Sequence, residues 1–122
     1  MAPQPVPSDL GNSVVSAAWG YVGWLPYVWG GADLNYGCDC CGFTMCIYAL
    51  FGVGIGRTVE AQACQGYSVP LSSAVPGDLI IYGGHVAIYI GGEQIIHCPT
   101  PGQCVSVASV YIMPIYDVRH IG

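Results

Sequence analysis

Two segments in the first half of the chain space their apolar residues as helices do. The first spans residues 13–24, and its apolar face holds Val14, Val15, Ala17, Ala18, Tyr21 and Val22. Asn12 or Ser13 is a candidate cap for its amino end. The second spans Asp39 to Phe51 and stops at Gly52, a residue suited to the left-handed conformation that closes a helix. We predict two helices, the second of them buried.

After Gly77 the pattern changes to short runs rich in β-branched and aromatic residues, separated by Gly and Pro. These runs are Asp78–Tyr82, His85–Ile90, Gln94–Cys98, Cys104–Val107 and Met113–Val118. They predict an antiparallel meander. Since helices come first and strands follow without alternation, we expect an α+β fold with amino-terminal helices packed on a carboxy-terminal antiparallel sheet. The Gly-rich and aromatic segment 26–37 is predicted to be a loop that shapes a cleft.

The length and composition fit one compact domain. The chain has 122 residues, of which 53% are apolar and 7% charged, so it can bury a core. Residues 1–10 are proline-rich and resemble a linker or a cloning-derived tail, which leaves 11–122 as the domain. No apolar run is long enough to predict a membrane span. We expect a monomer, or one module of a larger protein.

Charge excludes one class of partner. The chain has no lysine and two basic residues, Arg57 and Arg119, with a formal net charge of -5. Nothing is available to neutralise a row of phosphates, so nucleic acid is not an expected partner.

Cysteine is abundant, with seven residues in the chain. An odd number leaves at least one thiol free even if three disulfides form, and sequence cannot assign the pairings. Cys38, Cys46, Cys64, Cys98 and Cys104 are expected to be core residues or disulfide partners.

Cys40 is the best candidate for a reactive thiol because it falls at the start of the second predicted helix. The positive end of a helix, together with a nearby imidazole, stabilises a thiolate. Backbone N–H groups of the first helical turn have no partner inside the helix and can bind an oxyanion. One position can therefore serve both needs.

His85 opens one predicted strand, and His97 lies on the next. The turn Gly91-Gly92-Glu93 makes these strands a hairpin. A three-residue loop would place Ala87 opposite His97, so that the two histidines share a face as diagonal neighbours. His97 could then hold one ring nitrogen of His85 and leave the other for Cys40. An even loop without a bulge would contradict this geometry.

Several motifs follow one another along the chain. They are Pro26-Tyr27-Val28-Trp29-Gly30-Gly31, Asp39-Cys40-Cys41-Gly42, Gly77-Asp78-Leu79, His85 to Ile90, and Ile96-His97. In these motifs and their order, the chain closely resembles the NlpC family of cell-wall cysteine peptidases, from about Gly11 to Arg119.

The resemblance implies a papain-like fold in which Cys40 is the nucleophile, His85 the general base and His97 the residue that orients it. It implies cofactor-free and metal-free amide hydrolysis through an acyl-enzyme. The implied substrate is a peptidoglycan stem peptide or muropeptide, cut between D-glutamate and the following diamino acid. A secreted or cell-wall-associated location follows from that substrate.

The resemblance also implies a substrate-binding and oxyanion set. Tyr27 would help line the oxyanion site, with Trp29 in the same motif, and Asp39 would lie where some members bind the free amine of the stem's first alanine. The chain departs from the family at Cys41, usually Ser, and at Val59, often Ser after Arg-Thr. Some members use these two hydroxyls for the substrate's amino end, so a requirement for a free N-terminal alanine stays open.

Three other functions are compatible with parts of the pattern. Cys38-Asp39-Cys40-Cys41 has the Cys-x-x-Cys spacing of a metal-binding module or, less well, of a redox protein. A wall-binding module that has lost catalysis would keep the fold. Outside these motifs, His120 is expected at the surface.

Overall fold

A computed structural model of the protein describes residues 9–122. Residues 1–8, most of the predicted tail, lie outside the described part. The elements are α1 (Asp9–Trp19), β1 (Ala32–Asp33), β2 (Gly37–Cys38), α2 (Cys40–Ala49), α3 (Val59–Gln62), β3 (Tyr67–Ser68), β4 (Leu79–Tyr82), β5 (His85–Gly91), β6 (Gln94–His97), β7 (Ser106–Ser109) and β8 (Ile115–His120). Short 3-10 turns follow β3 and β7, at Leu71–Ser73 and Val110–Ile112.

The main sheet has six strands in the order β3-β8-β4-β5-β6-β7, and its neighbours are antiparallel. The predicted meander is correct for β4 to β7 but wrong for β8, which crosses the sheet to pair with β4. All four residues of β4 are buried. The backbone N–H and C=O groups along both edges of this inner strand need hydrogen-bond partners, and β8 supplies them on the edge away from β5.

The sheet separates two apolar clusters because residues alternate sides along each strand. On one face, Val86 and Ile88 of β5 pack under α1 and α2 with Phe43 and Ile47. On the other face lies a smaller cluster that contains Ile80, Tyr82, Ala87, Tyr89, Ile95, Val110 and Val118. The helices therefore cover one face of the sheet, and the amino end of α2 lies against β5.

The helix predictions differ in accuracy. The second helix is confirmed: α2 begins at Cys40, and Gly52 beyond it has a φ of 76°. The first helix occupies Asp9–Trp19 rather than 13–24, because residues 20–25 turn away and Gly23 takes a φ of 90°. Helix α3 and strands β1 to β3 have two to four residues each, too few to show a periodic signal.

His120 is not a surface residue, contrary to the sequence-based expectation. It is 8% exposed, and its Nδ1 lies 2.6 Å from Oδ1 of Asp78. Strand β8 lies between β3 and β4, so its last residue is covered from both sides. Within residues 9–122, no helix is long and apolar enough to cross a membrane.

Candidate active site

The amino end of α2 is shaped by the residue that precedes it. Asp39 has an extended backbone, and its Oδ1 accepts a hydrogen bond from the Gly42 N–H at 2.6 Å, which caps the helix. A Cβ at position 42 would overlap the carbonyl oxygen of Gly31. Glycine here allows the loop that carries Tyr27 to approach the first turn closely, with Cys40 at its start.

The thiol of Cys40 is buried between α2 and β5. Burial, then the neighbouring Cys41, raise its pKa to about 11, with a smaller contribution from Asp39. Backbone hydrogen bonds from Val86 and Cys41 act in the opposite direction and favour the thiolate. Val86 follows His85 directly, so the thiol lies beside the first residues of β5.

The hairpin that carries the two histidines has the predicted register but not the predicted loop. Ile88 pairs with Ile96, which places Ala87 opposite His97. The turn between Gly91 and Gln94 has two residues, Gly92 and Glu93, and a bulge at Ile90 supplies the extra residue. Because of the bulge, the strands before Ile90 pair in the same register that a three-residue loop would have produced. The prediction that His85 and His97 share a face is therefore confirmed.

His85 and His97 form a hydrogen-bonded pair. Nε2 of His85 lies 2.9 Å from Nδ1 of His97, with the rings at 74°. For His85 to accept a proton on Nδ1, its Nε2 must carry a proton and donate it to an unprotonated Nδ1 of His97. Burial, then the charge of His97, lower the pKa of His85 to about 4. Burial also lowers the pKa of His97, so both rings are neutral at pH 7.

Two grooves share Gly84 as a lining residue. The first, of about 340 Å³, is lined by His85, His97, Gly83, Gly84, Pro99, Ile112 and Met113. The second, of about 270 Å³, is lined by Cys40, Cys41, Asp39, Tyr27, Trp29, Thr58, Val59, Glu60 and Gly84. The first has no carboxylate, lysine or arginine, whereas the second contains the carboxylates of Asp39 and Glu60.

The four predicted substrate-binding and oxyanion residues all line the Cys40 groove: Tyr27, Trp29, Asp39 and Cys41. Burial, then the nearby Cys40 and Asp39, raise the pKa of Tyr27, which keeps its hydroxyl protonated and able to donate. Trp29 is 85% exposed and offers an open aromatic face. The groove thus combines hydrogen-bond donors with an apolar platform.

Arg57 is a site residue that sequence reasoning did not single out. Its Nη2 lies 2.9 Å from Oδ2 of Asp39 and its Nη1 lies 3.1 Å from Oδ1. Burial alone would raise the pKa of Asp39, but hydrogen bonds from Arg57 and the Gly42 N–H outweigh it and lower that pKa. Two signals were available: Arg57 is one of two basic residues in an acidic chain, and it opens the Arg-Thr-Val segment that was compared with the family's Arg-Thr-Ser.

The cysteines do not converge on one point. Cys38 lies beside Cys46, whereas Cys41 faces Arg57, so the two ends of the Cys-x-x-Cys spacing diverge. All seven thiols are free, and Cys98 donates to the carbonyl of Cys38 at 3.0 Å. In the described range 9–122, no group of three or more His, Cys, Asp or Glu residues is arranged to hold a metal ion.

Comparison with known sequences gives a consistent result. A family model described as the NlpC/P60 family matches residues 23–118. Protein P54 of Enterococcus faecium is 44% identical over 106 residues, which cover 82% of this chain and 20% of that protein. Gamma-D-glutamyl-L-lysine dipeptidyl-peptidase of Bacillus subtilis is 34% identical over 94 residues, which cover 70% of this chain and 31% of that protein. The chain spans a fifth to a third of these curated relatives.

Solved structures agree with the fold. The NlpC/p60 domain of the peptidoglycan hydrolase SagA has a TM-score of 0.83 at 39% identity, covering 91% of this chain and 98% of that one. The peptidoglycan hydrolase RipB of Mycobacterium tuberculosis has a TM-score of 0.84 at 29% identity, covering 98% and 73%. The α+β, papain-like fold expected from the sequence is confirmed.

Proposed function

Since the chain belongs to the NlpC/P60 family, we propose that it is a cysteine peptidase that hydrolyses peptidoglycan stem peptides, with Cys40 as nucleophile and His85 as general base. The observation that carries the proposal is the hydrogen bond between His85 Nε2 and His97 Nδ1. It engages one ring nitrogen of His85 and directs the basic role to Nδ1, the nitrogen left for the Cys40 thiol. The cell wall is then the site of action, and the protein acts there as a secreted or wall-associated enzyme.

The reaction begins with proton transfer from the Cys40 thiol to His85 Nδ1. The thiolate attacks the amide carbon, and the oxyanion that forms is held by the backbone N–H of Cys40 and the Tyr27 hydroxyl. The imidazolium of His85 is stabilised by the hydrogen bond that it donates to His97. It then gives its proton to the leaving amine, and water hydrolyses the acyl-enzyme with His85 again as base.

The two grooves take the two sides of the scissile bond. The acyl side of the substrate lies in the Cys40 groove, where the oxyanion donors are. The leaving amine must reach His85 for protonation, so the substrate residue that carries this amine lies in the groove lined by His85 and His97. On this assignment the D-glutamyl residue occupies the Cys40 groove and the diamino acid occupies the His85 groove.

A free N-terminal amine is not required in this proposal. Both carboxylate oxygens of Asp39 are occupied by Arg57, and Oδ1 also accepts from Gly42. An ammonium group would have to displace the guanidinium to bind there. The enzyme therefore acts as an endopeptidase on stems that are still attached at their amino end, as one module of a longer wall hydrolase.

Mass spectrometry of muropeptides tests the reaction and the nucleophile together. Wild type, Cys40→Ala and Cys41→Ala are incubated with purified muropeptides under reducing conditions. We expect cleavage between D-glutamate and the diamino acid, lost in Cys40→Ala and retained in Cys41→Ala, the matched thiol control. Intact muropeptides with wild type would overturn the proposal, and loss in Cys41→Ala alone would reassign the nucleophile.

A second experiment tests the acyl-enzyme. Hydroxylamine added to the reaction should compete with water and give a D-glutamyl hydroxamate as a second product, because a thioester is open to attack by added amines. The hydroxamate fraction should rise with hydroxylamine concentration while substrate consumption stays constant. Its complete absence at high hydroxylamine concentration would argue against a covalent intermediate.

A further inference from the structure

Arg57 contacts the catalytic apparatus without lining either groove. The groove beside Cys40 is lined by its neighbours Thr58, Val59 and Glu60, but not by Arg57 itself. We propose that Arg57 is a positioning residue that holds Asp39, and through it the amino end of α2 with Cys40, in the geometry that attack requires. This rests on the proposed function only in that Cys40 is taken as the nucleophile.

The guanidinium of Arg57 donates hydrogen bonds from two nitrogens to the carboxylate of Asp39. Nη1 lies 3.1 Å from Oδ1 and Nη2 lies 2.9 Å from Oδ2, the two-point geometry that arginine offers and lysine does not. Nη2 also donates to the Gly31 carbonyl at 3.3 Å, which accepts the Asp39 N–H at 2.9 Å as well. Arg57 therefore joins the cap of α2 to the segment that carries Tyr27.

The two adjacent thiols differ in their contact with Arg57. Its Nη1 lies 3.2 Å from Sγ of Cys41, and that thiol in turn lies 3.5 Å from Oδ1 of Asp39. Cys41 is thus held on the Arg57 side, while the thiol of Cys40 accepts from the Val86 N–H on β5. The neighbouring thiols have distinct partners, and only Cys40 lies beside the strand that carries His85.

The segment before Arg57 is itself fixed to α2 by a buried side chain. Gln62 of α3 has no exposed surface, and its Nε2 donates to the Cys41 carbonyl at 2.9 Å and to the Gly56 carbonyl at 2.8 Å. Its Oε1 accepts from the Thr44 hydroxyl at 2.6 Å. Arg57 therefore approaches Asp39 from a backbone that cannot move independently of the first turns of α2.

The guanidinium also balances charge around the nucleophile. The ionisable groups that interact with Cys40 are Asp39 and Cys41 beside it, Tyr27 and Cys98. At neutral pH Asp39 is the charged member of this set, and its carboxylate raises the pKa of the Cys40 thiol. Loss of Arg57 would leave that carboxylate without its cation and raise the thiol pKa further.

The test uses Arg57→Gln and Arg57→Lys, with Arg119→Gln as the matched control. Arg119 also pairs with a carboxylate, that of Asp117, but on β8 away from both grooves. For each variant we would measure kcat and KM on muropeptides, the thermal midpoint, and the pH dependence of Cys40 alkylation by iodoacetamide, followed at the Cys40 peptide by mass spectrometry.

We expect Arg57→Gln to lower kcat about 100-fold with little change in KM, since a displaced nucleophile loses rate and not binding. Its alkylation profile should move to higher pH. Arg57→Lys should keep the wild-type alkylation profile, because the positive charge remains. It should recover only part of kcat, because lysine cannot donate to both carboxylate oxygens of Asp39 in the bidentate geometry of arginine. Arg119→Gln should leave kcat and the profile unchanged.

The outcomes separate this proposal from the proposed function. Wild-type kcat and alkylation in Arg57→Gln, or full kcat in Arg57→Lys, would overturn the positioning role. If Arg57→Gln does not fold, the Arg57→Lys variant decides alone by its kcat and profile. If wild type cleaves no muropeptide, the proposed function fails, yet the alkylation profiles still support or overturn the link between Arg57 and Cys40.

Discussion

The sheet carries two buried histidine pairs that look alike and differ in their partners. His85 bonds to the imidazole of His97 at 2.9 Å, and His120 bonds to the carboxylate of Asp78 at 2.6 Å. Each histidine also has a tyrosine ring beside it, Tyr82 for His85 and Tyr67 for His120. The resemblance shows that a buried, paired histidine is not by itself evidence of catalysis.

The two pairs differ in the charge of the residue bonded to the histidine and in whether the histidine ring is open to a groove. The His85 pair opens into a groove and has a neutral partner, so its proton can be given and taken without a fixed charge. The His120 pair lines neither groove, and its carboxylate joins β8 to the start of β4. The first pair is suited to proton transfer, and the second is suited to holding strands together.

Alanine substitution should give opposite results at the two pairs. His85→Ala is expected to reduce kcat/KM about 1,000-fold or more, because the proposed general base is lost. His120→Ala is expected to retain kcat per folded molecule but to destabilise the fold by about 3 kcal/mol, since it leaves the buried Asp78 carboxylate without its cationic partner and Oδ1 without a hydrogen bond. Muropeptide kinetics and urea unfolding measure both. A large loss of kcat in folded His120→Ala would contradict the assignment of a purely structural role to the His120 pair.

Changing the partner of His85 tests the orienting role. His97→Ala should lower kcat about 100-fold, because His85 is no longer held in its attack orientation, and His97→Asn should recover part of it, because an amide oxygen can accept from Nε2. His97→Asp would convert this pair into the type formed by His120. We expect it to move the acid limb of kcat/KM to higher pH, since a carboxylate stabilises the imidazolium. Equal rates for the Ala and Asn variants would contradict the orienting role.

The depressed pKa of His85 predicts a dependence of stability on pH. The ring titrates near 4 in the folded protein and near 6.5 in the unfolded chain. Between these values the unfolded chain binds more protons, so the contribution of His85 is complete above about pH 6.5 and is lost as pH falls towards 4. The full difference is on the order of 3 kcal/mol. Urea unfolding of wild type and His85→Ala from pH 7 to 4 should show a steeper decline for wild type, and parallel curves would contradict the low pKa.

The sequence predicts the parts of the site that are local. Helix α2 follows from a long apolar run that ends at Gly52, and the His85–His97 contact follows from strand alternation around one hairpin. The two-residue turn was not predictable, because a two-residue turn with a bulge at Ile90 and a three-residue loop without a bulge pair the strands in the same register. Local pattern was therefore enough to bring both histidines to one face.

The sequence does not predict contacts between distant segments. Nothing near Arg57 indicates that it reaches Asp39, 18 residues earlier. His120 looked exposed because it is close to the end of the chain, but it contacts Asp78, 42 residues away, and its backbone is covered by Gly66, where a Cβ would overlap its carbonyl oxygen. Such contacts are set by which strands pair, and β8 pairs with β4 rather than with its neighbour in sequence.

The smallest expected difference concerns the two tyrosines beside the histidines. The Tyr82 hydroxyl is buried and donates to the Val110 carbonyl at 2.7 Å, so Tyr82→Phe should cost about 1 kcal/mol in the free energy of unfolding. Tyr67 is 53% exposed, and Tyr67→Phe should change neither stability nor kcat measurably. Both variants keep their rings beside the histidines, so muropeptide kcat should stay at the wild-type value in each. A fall in kcat for Tyr82→Phe would mean that the hydroxyl of Tyr82, which is paired with His85 across β4 and β5, contributes to the orientation of His85.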